Sequence, residues 1–401
     1  MRRILRRTKT LVAAAAACAG AASLPPALAA DVPMAAEPVD YVRVCDAFGS
    51  GFLYVPGTET CFRVMGRVRA DYRVYGSDQA YGGPGFYSNS ADGYVFRARG
   101  YLYQDSRTNT EYGLLRTYSE IWFTVDTNAP DTAVFIRNAY IQFGGLTAGR
   151  GTSFYDLYFG DTFNTVFKMA GMGNPDFATN LVGYTADFGS GFSATLALED
   201  TVYRQSGIQS AAGITDQGGV RVPDVVANIN LKQDWGVAQL MAATHEVRTS
   251  TGRADSELGY SVGAGLIVNL PMIAKGDRIG IQGGYADGAL MYVGPQAQGP
   301  SVVDGVVRNG NLKLTSAWAI GASGIHFWTA DWSSALGASY LDVQAPNPGT
   351  DFSNIDLQGN LVFRPVKGLQ IGTEVEWKYV QPDKGADRNG LVGMLRVQRD
   401  F

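Results

Sequence analysis

The sequence predicts an all-β fold, a transmembrane antiparallel β-barrel of about 16 strands. Segments of roughly ten residues alternate between apolar and polar side chains, as barrel strands do. The connections between these segments are short and long in turn. The composition also favours strands and turns, with 50 Gly, 21 Tyr and only 17% charged residues.

The clearest segment is residues 62–74 (FRVMGRVRADYRV), which we take as the opening strand. Its even positions are apolar or small, and its odd positions are nearly all charged. Successive side chains of a strand point to opposite faces, so this strand has one apolar wall and one cationic wall.

Later segments repeat the alternation. The further strand candidates are residues 94–104, 114–123, 134–143, 146–150, 181–188, 192–199, 224–232, 236–246, 258–270, 278–285, 314–328, 332–341, 356–363, 369–379 and 391–401. Together with the opening strand they make a sheet whose one face is apolar and whose other face is polar throughout.

The connections support closure of this sheet in a membrane. The short ones are residues 144–145, 189–191, 233–235, 329–331 and 364–368, and the long ones are 76–93, 151–180, 200–223, 287–313 and 342–355. Outer-membrane barrels have short turns at one end and long loops at the other. In lipid every backbone polar group needs an internal partner, so the sheet must close on itself. A ring of about 16 strands is wide enough to enclose water.

The N-terminal 30 residues read as a secretory signal peptide. A basic head precedes an apolar run at residues 11–22 and small residues near 27–30. The run is too short to span a bilayer as a helix, which argues against a membrane anchor. Removing five basic residues and no acidic one takes the formal charge from −4 to −9. An acidic chain of this kind is a poor partner for nucleic acid.

Two cysteines remain after the signal peptide, Cys45 and Cys61. In an exported chain we expect them to form a disulfide that constrains the unfolded state by about 3 kcal/mol. A two-cysteine metal site is the alternative, but the chain has just two histidines, His245 and His326. We therefore divide the mature chain into an N-terminal segment, residues 31–61, on the periplasmic side, and a barrel, residues 62–401.

Three stretches carry a family resemblance: residues 37–47 (EPVDYVRVCDA), 51–61 (GFLYVPGTETC) and 397–401 (VQRDF). With them, residues 31–401 resemble a general diffusion porin of the alphaproteobacterial type. The resemblance implies a multi-pass barrel in outer-membrane lipid, a homotrimer, and passive diffusion of small hydrophilic solutes and ions. The terminal Phe401 resembles the signal read by the barrel-assembly machinery, although Arg399 interrupts the apolar alternation before it.

The resemblance also implies that the third external loop, residues 151–180, folds into the lumen as a constriction. This loop contains Asp156, Asp161 and Asp176. The facing wall would be formed by the cationic strand faces, which carry Arg63, Arg67, Arg69, Arg73, Arg97, Arg99 and Arg116. Our hypothesis places Arg67, Arg69, Arg97 and Arg99 on one side and Asp156 and Asp161 on the other, because rings of charge tune ion selectivity. The alternative for each residue is a solvated charge elsewhere in the lumen.

Other functional classes remain open. The sequence contains no Gly-x-Ser-x-Gly elbow, His-Glu-x-x-His motif or phosphate-binding loop, so we predict no enzyme and no cofactor. A substrate-specific channel, for example for a sugar, is the main rival, since Tyr101, Tyr103, Tyr118 and Tyr140 fall on the polar face. An adhesin or purely structural barrel is a third class.

Overall fold

Sixteen antiparallel strands within the described residues form one closed barrel. The computed structural model describes residues 43–77, 92–127, 129–158, 160–174, 176–210, 216–250, 252, 254–294, 299 and 302–401. Residues 1–30, which we predict to be a signal peptide, and residues 31–42 lie outside the described residues. The chain divides into two units, Met1–Tyr41 and Val42–Phe401, and the barrel belongs to the second.

The barrel strands match the candidates from the sequence, and most of them extend further. In chain order they are β1 Cys61–Ser77, β2 Tyr94–Thr110, β3 Gly113–Asp126, β4 Ala129–Phe143, β5 Leu146–Gly151, β6 Thr179–Gly189, β7 Phe192–Glu199, β8 Asp224–Gln233, β9 Gly236–Val247, β10 Glu257–Asn269, β11 Arg278–Asp287, β12 Ser316–Phe327, β13 Trp332–Gln344, β14 Phe352–Val366, β15 Leu369–Pro382 and β16 Arg388–Asp400.

Each strand pairs with the next in sequence, and β16 pairs with β1 to close the ring. At that closure Arg67 lies opposite Asp400, and Ser77 lies opposite Gly390. The ring therefore has no free sheet edge, as a strand assembly in hydrocarbon requires. The predicted fold class is confirmed.

Burial is inverted relative to a soluble protein. On β1, Val64 and Val68 are 55% and 56% exposed, whereas Asp71 and Arg73 are 1% and 6% exposed. Apolar side chains thus cover the outside, and charged side chains point inward, as the alternation predicted. Among the described residues, the helices are all too short or too polar to cross a membrane.

The two ends of the barrel differ. At one end the strands are joined by short connections, such as the one between Phe143 and Leu146. At the other end lie the longer connections, and we call three of them, by their order in the chain, loop 3 (residues 152–178), loop 4 (residues 200–223) and loop 6 (residues 288–315). A small sheet links loops 4 and 6 through Ile208–Gln209, Gly305–Arg308 and Asn311–Leu314.

The segment before β1 is held at the short-connection end. Cys45 and Cys61 are disulfide-bonded, which confirms the predicted pair. Leu53–Tyr54 pairs with the start of β1, and the fully buried Phe52 packs against both cysteines. The guanidinium groups of Arg63 and Arg107 lie 4.5 and 5.0 Å from the Phe52 ring centroid.

Loops 3 and 6 share an apolar cluster with the inner wall of the strands between β8 and β14. Its buried members include Tyr155 of loop 3, Leu290 and Tyr292 of loop 6, and Met241 and Leu341 of the wall. Loop packing therefore fills this side of the interior, and the charged faces of β1–β3 and β16 form another part of the inner wall.

Candidate pore constriction

Loop 3 runs across the inner wall instead of extending away from the barrel. The Phe154 N–H donates to Glu199 on β7 (2.8 Å), and the Phe154 carbonyl accepts from Asn228 on β8 (2.7 Å). Further along, the Tyr158 N–H donates to Gln282 on β11 (2.9 Å), and the Ala170 N–H donates to Ser339 on β13 (3.0 Å). The predicted inward fold of this loop is the arrangement found in the described residues.

Two carboxylates of β15 hold the far part of loop 3. Glu374 accepts the N–H of Phe163 and of Asn164, the latter at 3.0 Å. Glu376 accepts the N–H groups of residues 165–167 at 2.6 to 3.2 Å. Both side chains are fully buried, so the backbone donors of the loop take the place of water around them. Sequence reasoning did not identify this anchoring role of Glu374 and Glu376.

Glycines on the inner wall make room for the aromatic side chains of loop 3. A Cβ at Gly280 of β11 would lie 2.4 Å from the Tyr158 ring, and one at Gly372 of β15 would lie 2.8 Å from the Phe163 ring. The Tyr155 hydroxyl, nearby, hydrogen-bonds Ser261 of β10 (2.7 Å). In the sequence, glycines at inward strand positions, together with aromatic residues in loop 3, were the signal that could have predicted where the loop packs on the wall.

Two of the three aspartates of loop 3, Asp156 and Asp161, are ion-paired with arginines outside β1 and β2. Asp156 is ion-paired with Arg204 of loop 4 (2.6 Å), and both side chains are buried. Asp161 is paired with Arg278 at the start of β11 and accepts a hydrogen bond from Tyr158. Their nearest cationic partners are therefore not arginines of β1 and β2. The pairing depends on how the loop backbone turns, which residue spacing does not encode.

Asp176 is the loop aspartate that lies near those arginines. It is ion-paired with Lys168 of the same loop (2.9 Å). Burial opposes its ionisation, but Lys168, Arg99 and Arg69 together hold the pKa of Asp176 well below its usual range. The charges that loop 3 places near the arginines of β1 and β2 are thus the carboxylate of Asp176 and the ammonium group of Lys168.

We call the inward arginines of β1–β3 and β16 the arginine wall: Arg63, Arg67, Arg69, Arg73, Arg97, Arg99, Arg107, Arg116 and Arg396. Eight of them share four aspartates. Asp105 lies 3.9 Å from Arg63, 2.7 Å from Arg107 and 3.0 Å from Arg116. Asp71 lies 3.2 Å from Arg69 and 2.7 Å from Arg396.

The other two aspartates, Asp126 and Asp400, are ion-paired with three further arginines of the wall. Asp126 lies 2.6 Å from Arg97 and 3.6 Å from Arg73, and Asp400 pairs with Arg67. Arg396, which was not among the predicted residues, also donates to Thr165 of loop 3 (2.8 Å) and lies 4.2 Å from the Phe163 ring centroid. The arginine wall and loop 3 therefore meet at Arg396.

Tyrosines interleave with the charged residues of the same wall, since Tyr101 lies opposite Arg67 and Tyr118 lies opposite Asp105. Tyr101 and Tyr103 stack with ring centroids 6.0 Å apart, and Tyr118 and Tyr140 lie 5.5 Å apart. Arg116 lies over both rings of the second pair, at 5.0 and 5.8 Å. The described residues contain no group of three or more potential metal-binding side chains.

Phe401 lies at the closure of the barrel. Its N–H and carbonyl exchange hydrogen bonds with Gly66 of β1 at 3.0 and 2.8 Å. A Cβ at Gly66 would lie 2.4 Å from the Phe401 ring, and Phe401 itself is 72% exposed. The terminal aromatic ring is thus presented on the outer surface.

Known proteins share this architecture. The outer-membrane channel DcaP of Acinetobacter baumannii superposes with a TM-score of 0.69 over 85% of this chain and 97% of its own, at 16% identity. An anion-selective porin from Comamonas acidovorans superposes with a TM-score of 0.55 over 86% of this chain and all of its own, at 11% identity. At these identities the likeness concerns the fold.

Proteins of known sequence resemble this chain at higher identity than these structures do. Porin Omp2b of Brucella neotomae and that of Brucella abortus (strain 2308) are each 28% identical to this chain, over 98% of it and 99% of their own length. The profile of the porin subfamily matches residues 31–392. Since this match covers most of the sequence, the chain belongs to the porin family.

Proposed function

We propose that small hydrophilic solutes and ions cross this outer-membrane porin by passive diffusion, and that the narrow section lies between loop 3 and the arginine wall. Membership of the porin family supports a channel rather than an enzyme. The observation that supports this position of the narrow section is the anchoring of loop 3 by Glu374 and Glu376, which holds the loop inside the barrel.

The orientation follows from the two ends. Short connections of outer-membrane barrels face the periplasm, and long loops face outward. We therefore place the disulfide-bonded segment at the periplasmic mouth and loops 3, 4 and 6 at the external side. The homotrimer and the reading of Phe401 by the assembly machinery remain predictions; the outward exposure of Phe401 supports the second.

Charge selectivity follows from the wall. The arginines outnumber the aspartates that they share, and the loop side adds one ion pair. Rings of arginine and lysine favour anions. We propose a preference for anions, and the Comamonas acidovorans relative is described as an anion-selective porin.

Two measurements test the function. Single-channel recording of the refolded protein in planar bilayers should give discrete conductance steps, with a reversal potential in a KCl gradient that favours chloride. A folded protein without conductance would be a structural barrel instead.

Liposome swelling with neutral sugars of graded size separates a general pore from a specific one. A smooth size cutoff is the expected result. One solute that enters much faster than its size allows would favour the substrate-specific channel, for which the tyrosines of the inner wall offer a stacking surface.

A further inference from the structure

The arginine wall contains two pairs of like charges in direct register, and one of them, Arg107 and Arg116, shares the carboxylate of Asp105. In the other pair, Arg69 of β1 lies opposite Arg99 of β2, and both side chains point inward. Like charges directly opposite each other on adjacent strands destabilise a sheet. Other facing positions nearby avoid this cost, since Asp71 lies opposite Arg97, and Arg97 lies opposite Asp126.

Arg99 is also the member of the wall without a carboxylate partner among the described residues. Its Nε donates to Thr124 (2.8 Å), and its guanidinium lies 4.6 Å from the Trp122 ring centroid. It is only 8% exposed, and its Nη1 has no hydrogen-bond acceptor within the described part of the chain. A buried charged donor left in this way is costly.

Two neighbouring arginines have unused donors as well. Arg73 is 6% exposed, its Nε and Nη2 lack acceptors among the described residues, and its nearest carboxylate, Asp126, is 3.6 Å away and bonded to Arg97. Arg69 Nε lies 3.2 Å from Asp71 without hydrogen-bond geometry, while Arg396 occupies that carboxylate with two hydrogen bonds.

The surroundings leave a positive excess. Arg69, Arg73, Arg97, Arg99 and Arg396 share only Asp71 and Asp126. Loop 3 adds Lys168 and Asp176, which are paired with each other. Burial and the tight sharing of carboxylates hold the guanidinium groups in fixed directions, and a preorganised site loses little entropy on binding.

We propose that Arg69, Arg73 and Arg99 form a subsite for a multivalent oxyanion, such as the phosphate or sulfate group of a passing solute. The proposal rests on the proposed channel function and names the class of solute that the channel concentrates. A guanidinium is a planar fork of donors that matches the oxygens of phosphate or carboxylate, whereas chloride offers no directed acceptors. A tetrahedral oxyanion can accept from several guanidinium groups at once.

The probe is inorganic phosphate, added to the full-length mature protein in planar bilayers bathed in KCl at constant ionic strength. Phosphate should reduce the chloride current in a saturable manner, and acetate at the same concentration should do so much less. Arg99→Gln should raise the half-blocking phosphate concentration about tenfold, the effect of losing one charged hydrogen-bond pair of about 1.4 kcal/mol.

Arg107→Gln is the matched control, because it removes the same charge from the same inner wall at the Asp105 cluster. It should leave the half-blocking concentration within about twofold of wild type. Arg99→Lys keeps the charge but not the fork, and should weaken the block to an intermediate degree. Heat-modifiable migration confirms that each variant is folded.

The outcomes separate the two proposals. Ion conductance without saturable phosphate block would overturn the subsite and leave the channel intact. Equal losses of block in Arg99→Gln and Arg107→Gln would also overturn it, because they would indicate a general charge effect. Absence of conductance in all folded proteins would instead refute the channel.

Discussion

At the scale of single residues, Asp176 carries the negative charge that loop 3 presents near the arginine wall. Its pKa is held well below the usual range by Lys168, Arg99 and Arg69, against the effect of burial, so it stays ionised in neutral and mildly acidic solution. Asp156 and Asp161 are each committed to an arginine outside that wall.

We therefore expect Asp176→Asn to shift the reversal potential in a KCl gradient further towards chloride. One charge acts on an ion at 4 Å with about 1 kcal/mol in water, which bounds the change in permeability ratio at about fivefold. Asp187→Asn removes the same charge from an exposed position near a short turn, and should change the ratio much less. Equal shifts in the two variants would contradict a special position for Asp176.

A substitution at Gly280 tests whether the contact between the Tyr158 ring and β11 positions loop 3. The missing side chain at Gly280 admits the Tyr158 ring, so Gly280→Val must push that ring away from β11. Overpacking of this kind costs about 1–3 kcal/mol. We expect a lower melting temperature in detergent and a broader distribution of single-channel conductance.

The control for that variant is Gly100→Val on β2, where a Cβ would meet no atom within 4 Å. Its melting temperature and conductance distribution should stay close to wild type. A Gly280→Val protein with the conductance distribution of wild type would mean that the contact between the Tyr158 ring and β11 does not position the loop.

At the scale of elements, the strands could be predicted and the loop contacts could not. On β1 the alternation of Val64, Val68 and Tyr72 with charged neighbours fixes both the strand and its inward face, because the side-chain period is two. All sixteen candidates contain a strand for the same reason. Their ends were less well placed: β14 starts at Phe352 instead of residue 356.

Loop 3 has no such period. Its inward course was predicted through family resemblance, and its partners depend on contacts far apart in sequence, such as Asn164 with Glu374. The outer connection between Asp126 and Ala129 is also short, which departs from the simple alternation of loop lengths. Long-range contacts of this kind leave no local pattern in the sequence.

A buried polar network ties loops 4 and 6 to the barrel. Asp304 of loop 6 accepts the N–H groups of Ser206 (2.6 Å) and Leu290 (3.0 Å), and lies 3.8 Å from His245 Nε2. His245 Nδ1 in turn lies 3.1 Å from Asp224, to which the Tyr292 hydroxyl donates (2.7 Å). This network joins two loops to strands β8 and β9.

Burial raises the pKa of Asp304 to about 6. The folded protein then binds more protons than the unfolded chain between about pH 4 and 6, so this group's contribution to stability falls as pH rises through that window. The shift of about two units corresponds to about 3 kcal/mol. Asp304→Asn should flatten the decline in melting temperature between about pH 4 and 6, as followed by tryptophan fluorescence in detergent. A variant with the same pH slope as wild type would contradict this account.

At the scale of the whole molecule, the barrel is asymmetric. On the side between β8 and β14, loops 3 and 6 pack into an apolar cluster against the inner wall. The faces of β1–β3 carry arginines and tyrosines instead. Charged side chains that keep part of their exposure, such as Arg67 and Arg116, belong to this second side. We expect permeating ions to pass along this second side.

The inside-out arrangement of the whole ring can be tested on two adjacent residues of β1. Val68 is 56% exposed on the outer face, whereas Arg69 faces the interior next to Asp71. The cysteines of residues 31–401 are Cys45 and Cys61, and these are disulfide-bonded, so in a protein of these residues a single introduced cysteine is the one free thiol. In liposomes, Arg69→Cys should react with a charged aqueous thiosulfonate, and the reaction should lower the channel current.

Val68→Cys should resist the same aqueous reagent and react with a maleimide that partitions into lipid, because the neighbouring side chain points to the opposite face. The pair controls for depth, since the two positions differ by one residue along the strand. Aqueous labelling of both positions would mean that β1 is not in lipid on its outer face. Protection of both would mean that the lumen does not reach Arg69, and water could then not follow the arginine wall through the barrel.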